Sequence, residues 1–182
     1  MLMMNTNAHN LCWYDEFGNR LEGTKEGAFL APWSICSAAQ FGISDEIFQK
    51  LKFQYPSMKP IDKYKMGSNY GAFVITLPGV LSHLNQSRVS YRMLIDVRGY
   101  PHQKPLAYVF SPSDDEIKHC NIHNGGNFEI WPGQHLCFVC DSDDSNYWST
   151  LKGDDLLLFV TWLEQLSKVL NNPNINSSAR GE

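Results

Sequence analysis

The chain has 182 residues and a mass of 20.8 kDa, the size of one globular domain, and its 43% hydrophobic and 19% charged residues supply a core while excluding global disorder. Fifteen Lys and Arg against 19 Asp and Glu give a net charge of −4, without the basic excess that a phosphate backbone demands, so no nucleic acid partner is expected. Five cysteines (Cys12, Cys36, Cys120, Cys137 and Cys140) follow a start, MLMMNTNAHN, that does not read as a secretory leader, and the longest apolar run, 156–160, is far short of the roughly 20 residues that span a bilayer; a reducing cytoplasm and no membrane partner are expected.

Residues 1–43 mix Trp13, Tyr14, Phe17, Phe29 and Trp33 with glycines and show no clean period, so they read as an irregular N-terminal extension, or short strands, packed on the domain. Ser44 is placed to cap a helix with Asp45 and Glu46 in its first turn and Ile47, Phe48, Leu51 and Tyr55 on one face, until Pro56 ends it. Residues 70–77 read as a buried strand. In the next, Val89, Tyr91, Met93, Ile95 and Val97 alternate with Ser90, Arg92, Leu94 and Asp96; residues 106–110 form a third, entered through Gly99, Pro101 and Pro105. Connections this short favour an antiparallel meander. Residues 111–126 read as a polar, turn-rich loop leading to 128–131, a Pro132-Gly133 turn and the apolar stretch 136–139. Asp154 caps a final helix over 154–170, lined on one face by Leu156, Phe159, Leu163, Leu166 and Leu170, and residues 171–182 read as a flexible tail. The order predicts a single α+β domain over 1–182: an antiparallel sheet of about four strands flanked by helices.

The thiols admit three chemistries. Cys120, His123, Cys137 and Cys140 can be written Cys-x-x-His, thirteen residues, Cys-x-x-Cys, a spacing compatible with tetrahedral zinc in a small interaction protein. An extended Leu136-Cys137-Phe138-Val139 segment opposes this, because it sends Cys137 and Cys140 to opposite faces. A redox dithiol would want its first cysteine at a helix N-terminus in a βαβ setting, and neither is evident. For Cys12, Cys36 and Cys120, core filling is the simplest reading, since free cysteine behaves as a small hydrophobe.

Cys137 differs because of its surroundings. Tyr100-Pro101-His102-Gln103-Lys104-Pro105, between two expected strands, resembles the Tyr-Pro-x-x-x-Pro corner of ubiquitin-conjugating enzymes. Downstream, Ile130-Trp131-Pro132-Gly133-Gln134-His135-Leu136-Cys137-Phe138 resembles the active-site segment of the prokaryotic branch of that superfamily, where a turn leads to Leu-Cys-Leu and the cysteine carries a thioester. Trp148-Ser149-Thr150 and the helix holding Trp162-Leu163 resemble the landmarks that follow. The resemblance covers residues 89–170 and lies in order and spacing together. Asn127-Phe128-Glu129 stands where eukaryotic members place His-Pro-Asn.

The resemblance implies a ubiquitin-conjugating-enzyme-like fold and a transferase in which Cys137 accepts an acyl group as a thioester and passes it to an amine. The donor would be the C-terminal glycine of a ubiquitin-like protein or of a cyclic GMP-AMP synthase-like nucleotidyltransferase, in a bacterial ubiquitin-like operon or an anti-phage defence system. No phosphate-cradling glycine loop is evident, so adenylation falls to an activating enzyme, and neither cofactor nor metal is expected. Such a carrier needs a reachable sulfur shielded from water, and its second step needs help in deprotonating the amine and holding an oxyanion. Asn127, Glu129 and His135 are the candidate assistants, with the acidic run Asp141, Asp143 and Asp144 and the loop bearing His119, Asn121, His123 and Asn124 nearby. On an extended chain His135 and Cys137 share a face, and Trp148 and Trp162 read as packing. The rival within the same fold is a non-catalytic module that binds a ubiquitin-like tail around a merely buried Cys137.

Overall fold

The computed structural model describes residues 13–14, 20–21, 29–30, 42–141, 148 and 153–177. Cys12, Cys36, Asp143, Asp144, Ser149 and Thr150 lie outside them. In chain order the elements are β1 (Trp13–Tyr14), β2 (Arg20–Leu21), β3 (Phe29–Leu30), β4 (Ile43–Ser44), α1 (Asp45–Gln54), β5 (Lys59–Pro60), β6 (Lys65–Met66), β7 (Asn69–Tyr70), β8 (Ala72–Val80), β9 (Arg88–Asp96), β10 (Leu106–Ser111), β11 (Ile122–Asn127), β12 (His135–Val139) and α2 (Asp155–Asn171), with a 3₁₀ turn at Asp62–Tyr64. Among the described residues the fold is α+β: two helices and an open antiparallel sheet of six strands in the order β11-β12-β10-β9-β8-β5, with two small three-stranded sheets, β2-β1-β3 and β4-β7-β6.

Six strands replace the expected four, for two reasons. The segment 111–126 is a loop only in its first part, because Ile122 and the backbone of Gly125, Gly126 and Asn127 pair with β12. A run reading Ile-His-Asn-Gly-Gly-Asn carries almost no strand propensity; cross-strand pairing makes it a strand, and its identity on its own does not. The second addition, β5, is a two-residue edge paired to Val74 and Phe73. Residues 128–131 form a turn, closed by Trp131 N donating to Phe128 O. Pro78 is tolerated inside β8 because β5 covers only Phe73 and Val74, so the Pro78 edge away from β9 carries no ladder to interrupt.

Both helices start at a cap: Ser44 accepts from Ile47 N and Asp154 from Leu157 N. Phe48 and Leu51 of α1 and Phe159, Trp162, Leu163, Leu166 and Leu170 of α2 pack on the sheet face formed by Phe73, Ile75, Met93, Ile95, Val109, Ile122, Cys137 and Val139. Each such fully buried side chain contributes about 1.5 to 3 kcal/mol. The opposite face holds a second cluster, Tyr64, Ala72, Leu94, Tyr108, Ile130 and Leu136, covered by the turn after β11. Beyond α2 the chain is held to the sheet by Asn174, whose N–H donates to Asn121 Oδ1. No described helix is long and apolar enough to cross a membrane.

Candidate active site

Cys137 is the middle residue of β12, facing Val109 of β10 and Gly125 of β11, and it points into the core beneath the helices. It is a thiol, 2% exposed. Period-two alternation dictates this: Leu136 is buried on the far face, so Cys137 and Val139 face the helices.

The same alternation brings His135 to the face of Cys137, at the exposed end of the strand, opposite Asn127. Its imidazole lies over Gly125, where a Cβ would stand 2.0 Å from Nε2. Asp114, from the connection between β10 and β11, joins them: its Oδ2 accepts from Gly125 N at 2.7 Å and stands 3.2 Å from His135 Nε2. Asp114 is a site residue that the sequence reading passes over. Nothing in its local sequence distinguishes it from Asp115 and Glu116, which bond Ser113 instead.

Glu129 is not brought to Cys137. It lies in the turn that crosses the second cluster, where its charge acts on Arg98 and Tyr64. Burial alone would push the Arg98 guanidinium down, but its paired hydrogen bonds to Asp96, at 3.0 and 2.8 Å, with Tyr64 and Glu129 nearby, outweigh that and hold it above its ordinary value. Burial drives the Tyr64 phenol far above its ordinary range, and its hydroxyl donates to Ile130 O. Asn127 is exposed beside His135 at the hairpin end.

The remaining landmarks converge. Trp148 Nε1 donates to Pro101 O at 3.0 Å, the Tyr100 hydroxyl donates to Asp155 O, and the Tyr100 ring stands edge-on to Phe159 with centroids 5.4 Å apart. Asp141, immediately beyond the end of the Cys137 strand, is buried: one carboxylate oxygen pairs with Lys104 and the other accepts from Trp162 Nε1 at 2.9 Å. One buried acid thus ties the Tyr100–Pro105 corner, β12 and α2 together, a structural duty. Trp148 and Trp162 are packing residues with satisfied indoles.

His119 and Asn121, from the expected polar loop, are buried. His119 Nδ1 accepts from Asn121 N, and its Nε2 faces Leu170 O at 3.3 Å. The Asn121 amide donates to Cys140 O and its oxygen accepts from Asn174 N, so this side chain is committed to the fold. The zinc set is scattered: Cys120 donates to Asn174 O, the His123 ring stacks near Phe138 on the face away from Cys137, and among the described residues no three His, Cys, Asp or Glu gather as a metal would need.

No family model matches this chain, and no curated protein or solved structure is found to be significantly similar to it.

Proposed function

We propose that the chain is a ubiquitin-conjugating-like transferase that carries the C-terminal acyl group of a ubiquitin-like protein, or of a cyclic GMP-AMP synthase-like nucleotidyltransferase, on Cys137 and delivers it to an amine in a bacterial defence setting. The observation that carries this is the convergence of the resemblance's own landmarks. Trp148 bonds Pro101, Asp141 bonds both Lys104 and Trp162, and Tyr100 bonds Asp155 at the start of α2, all beside the strand that holds Cys137. The Tyr100–Pro105 corner, Trp148 and Trp162, which carry the resemblance by their order along the chain, thus lie close together in space, with Asp141 as a further link. An activating enzyme supplies the donor as a thioester.

A second reading is favoured by one specific observation: at 2% exposure, the Cys137 sulfur is out of reach of a protein donor unless its surroundings open. Under that reading the domain binds a ubiquitin-like tail without carrying it. Intact-mass measurement after incubation with the activating enzyme, ATP and donor separates the two. A thiol-labile adduct that Cys137→Ala abolishes, and that becomes hydroxylamine-sensitive in Cys137→Ser, is the expected result. No adduct on either side chain, with the donor bound, makes the domain a binding module.

A further inference from the structure

We propose that Asp114 is a positioning residue for His135 and that the pair serves the Cys137 thiol as its charge partner, a role that rests on the transferase reading. Two observations support it. The first is convergence on one carboxylate oxygen, 21 residues distant from His135 in the chain: Asp114 Oδ2 takes both Gly125 N–H and His135 Nε2. Accepting the Nε2 proton fixes the tautomer and leaves Nδ1 as the basic position of the ring. The second is the glycine. The imidazole occupies the space where any side chain at 125 would stand, and Gly125 is the residue directly opposite Cys137. Opposed residues in an antiparallel pair have their Cβ positions about 5 Å apart, so the ring lies within reach of the thiol's field.

The chemistry follows from that placement. A cation beside a thiol raises the thiolate fraction, and thiolate is the attacking species in thioester exchange. In the acyl-accepting step the Cys137 S–H proton passes to His135 Nδ1 through a water molecule admitted with the donor, a bond forms from Cys137 Sγ to the donor's carbonyl carbon, and the carbon–sulfur bond to the activating enzyme's cysteine breaks. The departing thiolate then takes the proton from His135, so atoms and charge balance without a further reactant. Of the other titratable groups near this strand, Lys104 and Asp141 pair with each other, Asp115 and Glu116 turn to Ser113, buried His119 bonds Asn121 N and faces Leu170 O, and His123 lies by Phe138 on the opposite face.

The test is alkylation of Cys137 by iodoacetamide in the full chain, followed by peptide mass from about pH 5 to about pH 9. The wild type should show an acid-side shoulder in the rate–pH profile. In His135→Gln the ratio of the rate at about pH 6.5 to that at about pH 9 should fall about tenfold. Asp114→Asn, whose amide oxygen can still accept Gly125 N–H, should lose the shoulder as well, with circular dichroism unchanged. A ratio changes only if the pair influences ionisation; a general opening of the site would raise both rates together. Identical profiles in the three proteins overturn the proposal even if a donor adduct forms. A shoulder that depends on both residues, with no adduct under any condition, upholds the pair and instead sinks the transferase reading.

Discussion

Replacing Asp141 by Ala should destabilise the fold by about 3 to 4 kcal/mol, because a single buried carboxylate joins three segments. Its loss takes the counter-charge from Lys104, whose side chain is only 18% exposed, and an acceptor from the Trp162 indole. Breaking a fully buried ion pair on one side costs about 3 to 5 kcal/mol; partial exposure of both partners reduces that to about 2. An indole N–H left without its acceptor adds about 1 to 2. For a chain of this size the sum lowers the melting temperature by roughly 6 to 16 °C. Asp141→Asn keeps an oxygen for the indole and loses only the charge, so it should fall about midway. Urea unfolding followed by circular dichroism, with the variants and Lys104→Met in a double-mutant cycle, measures each part. An Asp141→Ala protein within about 0.5 kcal/mol of wild type would refute the claim that this acid locks the corner to the helix.

Three further outcomes follow from the same structure. Tyr70 donates to Asp45 at 2.7 Å, and burial together with that carboxylate pushes its phenol up to about 12, while burial drives Tyr64 and Tyr100 higher still. The unfolded chain therefore releases these protons first, near the ordinary tyrosine value of 10, so stability should decline as pH rises from about 10 towards 12, read as a falling urea midpoint together with late ionisation at about 295 nm; a constant midpoint contradicts it. Gly42→Ala should cost about 3 kcal/mol or more, since φ is +62° and the new Cβ would lie 1.9 Å from Tyr70 O, whereas Gly125→Ala should cost under about 1, because the exposed His135 ring can swing away; equal midpoints for the two would be inconsistent with both. Cys137→Ser should cost about 1 to 3 kcal/mol more than Cys120→Ser in the same unfolding assay, because it buries a hydroxyl in an apolar cluster whereas the half-buried Cys120 already donates to Asn174 O.

The helices were legible because their signals are local. Ser44 and Asp154 cap where a capping residue precedes an amphipathic run, and the alternation in 89–97 marks the central strand. What escaped the sequence is non-local. β11 is a strand because β12 lies beside it, and its Gly125 leaves the space that the His135 ring takes, a reason that no window of residues displays. For the candidate site, alternation placed His135 and Cys137 on one face, but it also sent Cys137 inward, since the burial of Leu136 on the opposite face fixes the parity of the whole strand. Glu129 lies six residues before His135 in the sequence and yet serves the far side of the sheet, because a turn separates them. Asp114 arrives through the connection between β10 and β11, whose ends are fixed by the pairing of both strands with β12.

That parity also decides where the Cys137 sulfur is most accessible. Towards the helices it lies in the core cluster that also holds Phe159, Leu163 and Leu166, and uncovering it there would forfeit burial at about 25 cal/mol per Å². Along the sheet towards β11, the opposing residue is Gly125, which has no side chain, and the space above it is filled by His135, itself 58% exposed. An exposed histidine–carboxylate contact contributes about 0 to 1 kcal/mol, far less than the helix packing. Under the proposed transferase reading an acyl donor therefore enters at the hairpin end, past the exposed His135 ring, which stays near enough to take the thiol proton, with α2 left in place. On that reading the group that tunes the thiol and the group that screens it are the same side chain, so shielding a thioester from water and activating the thiol would be coupled through Asp114.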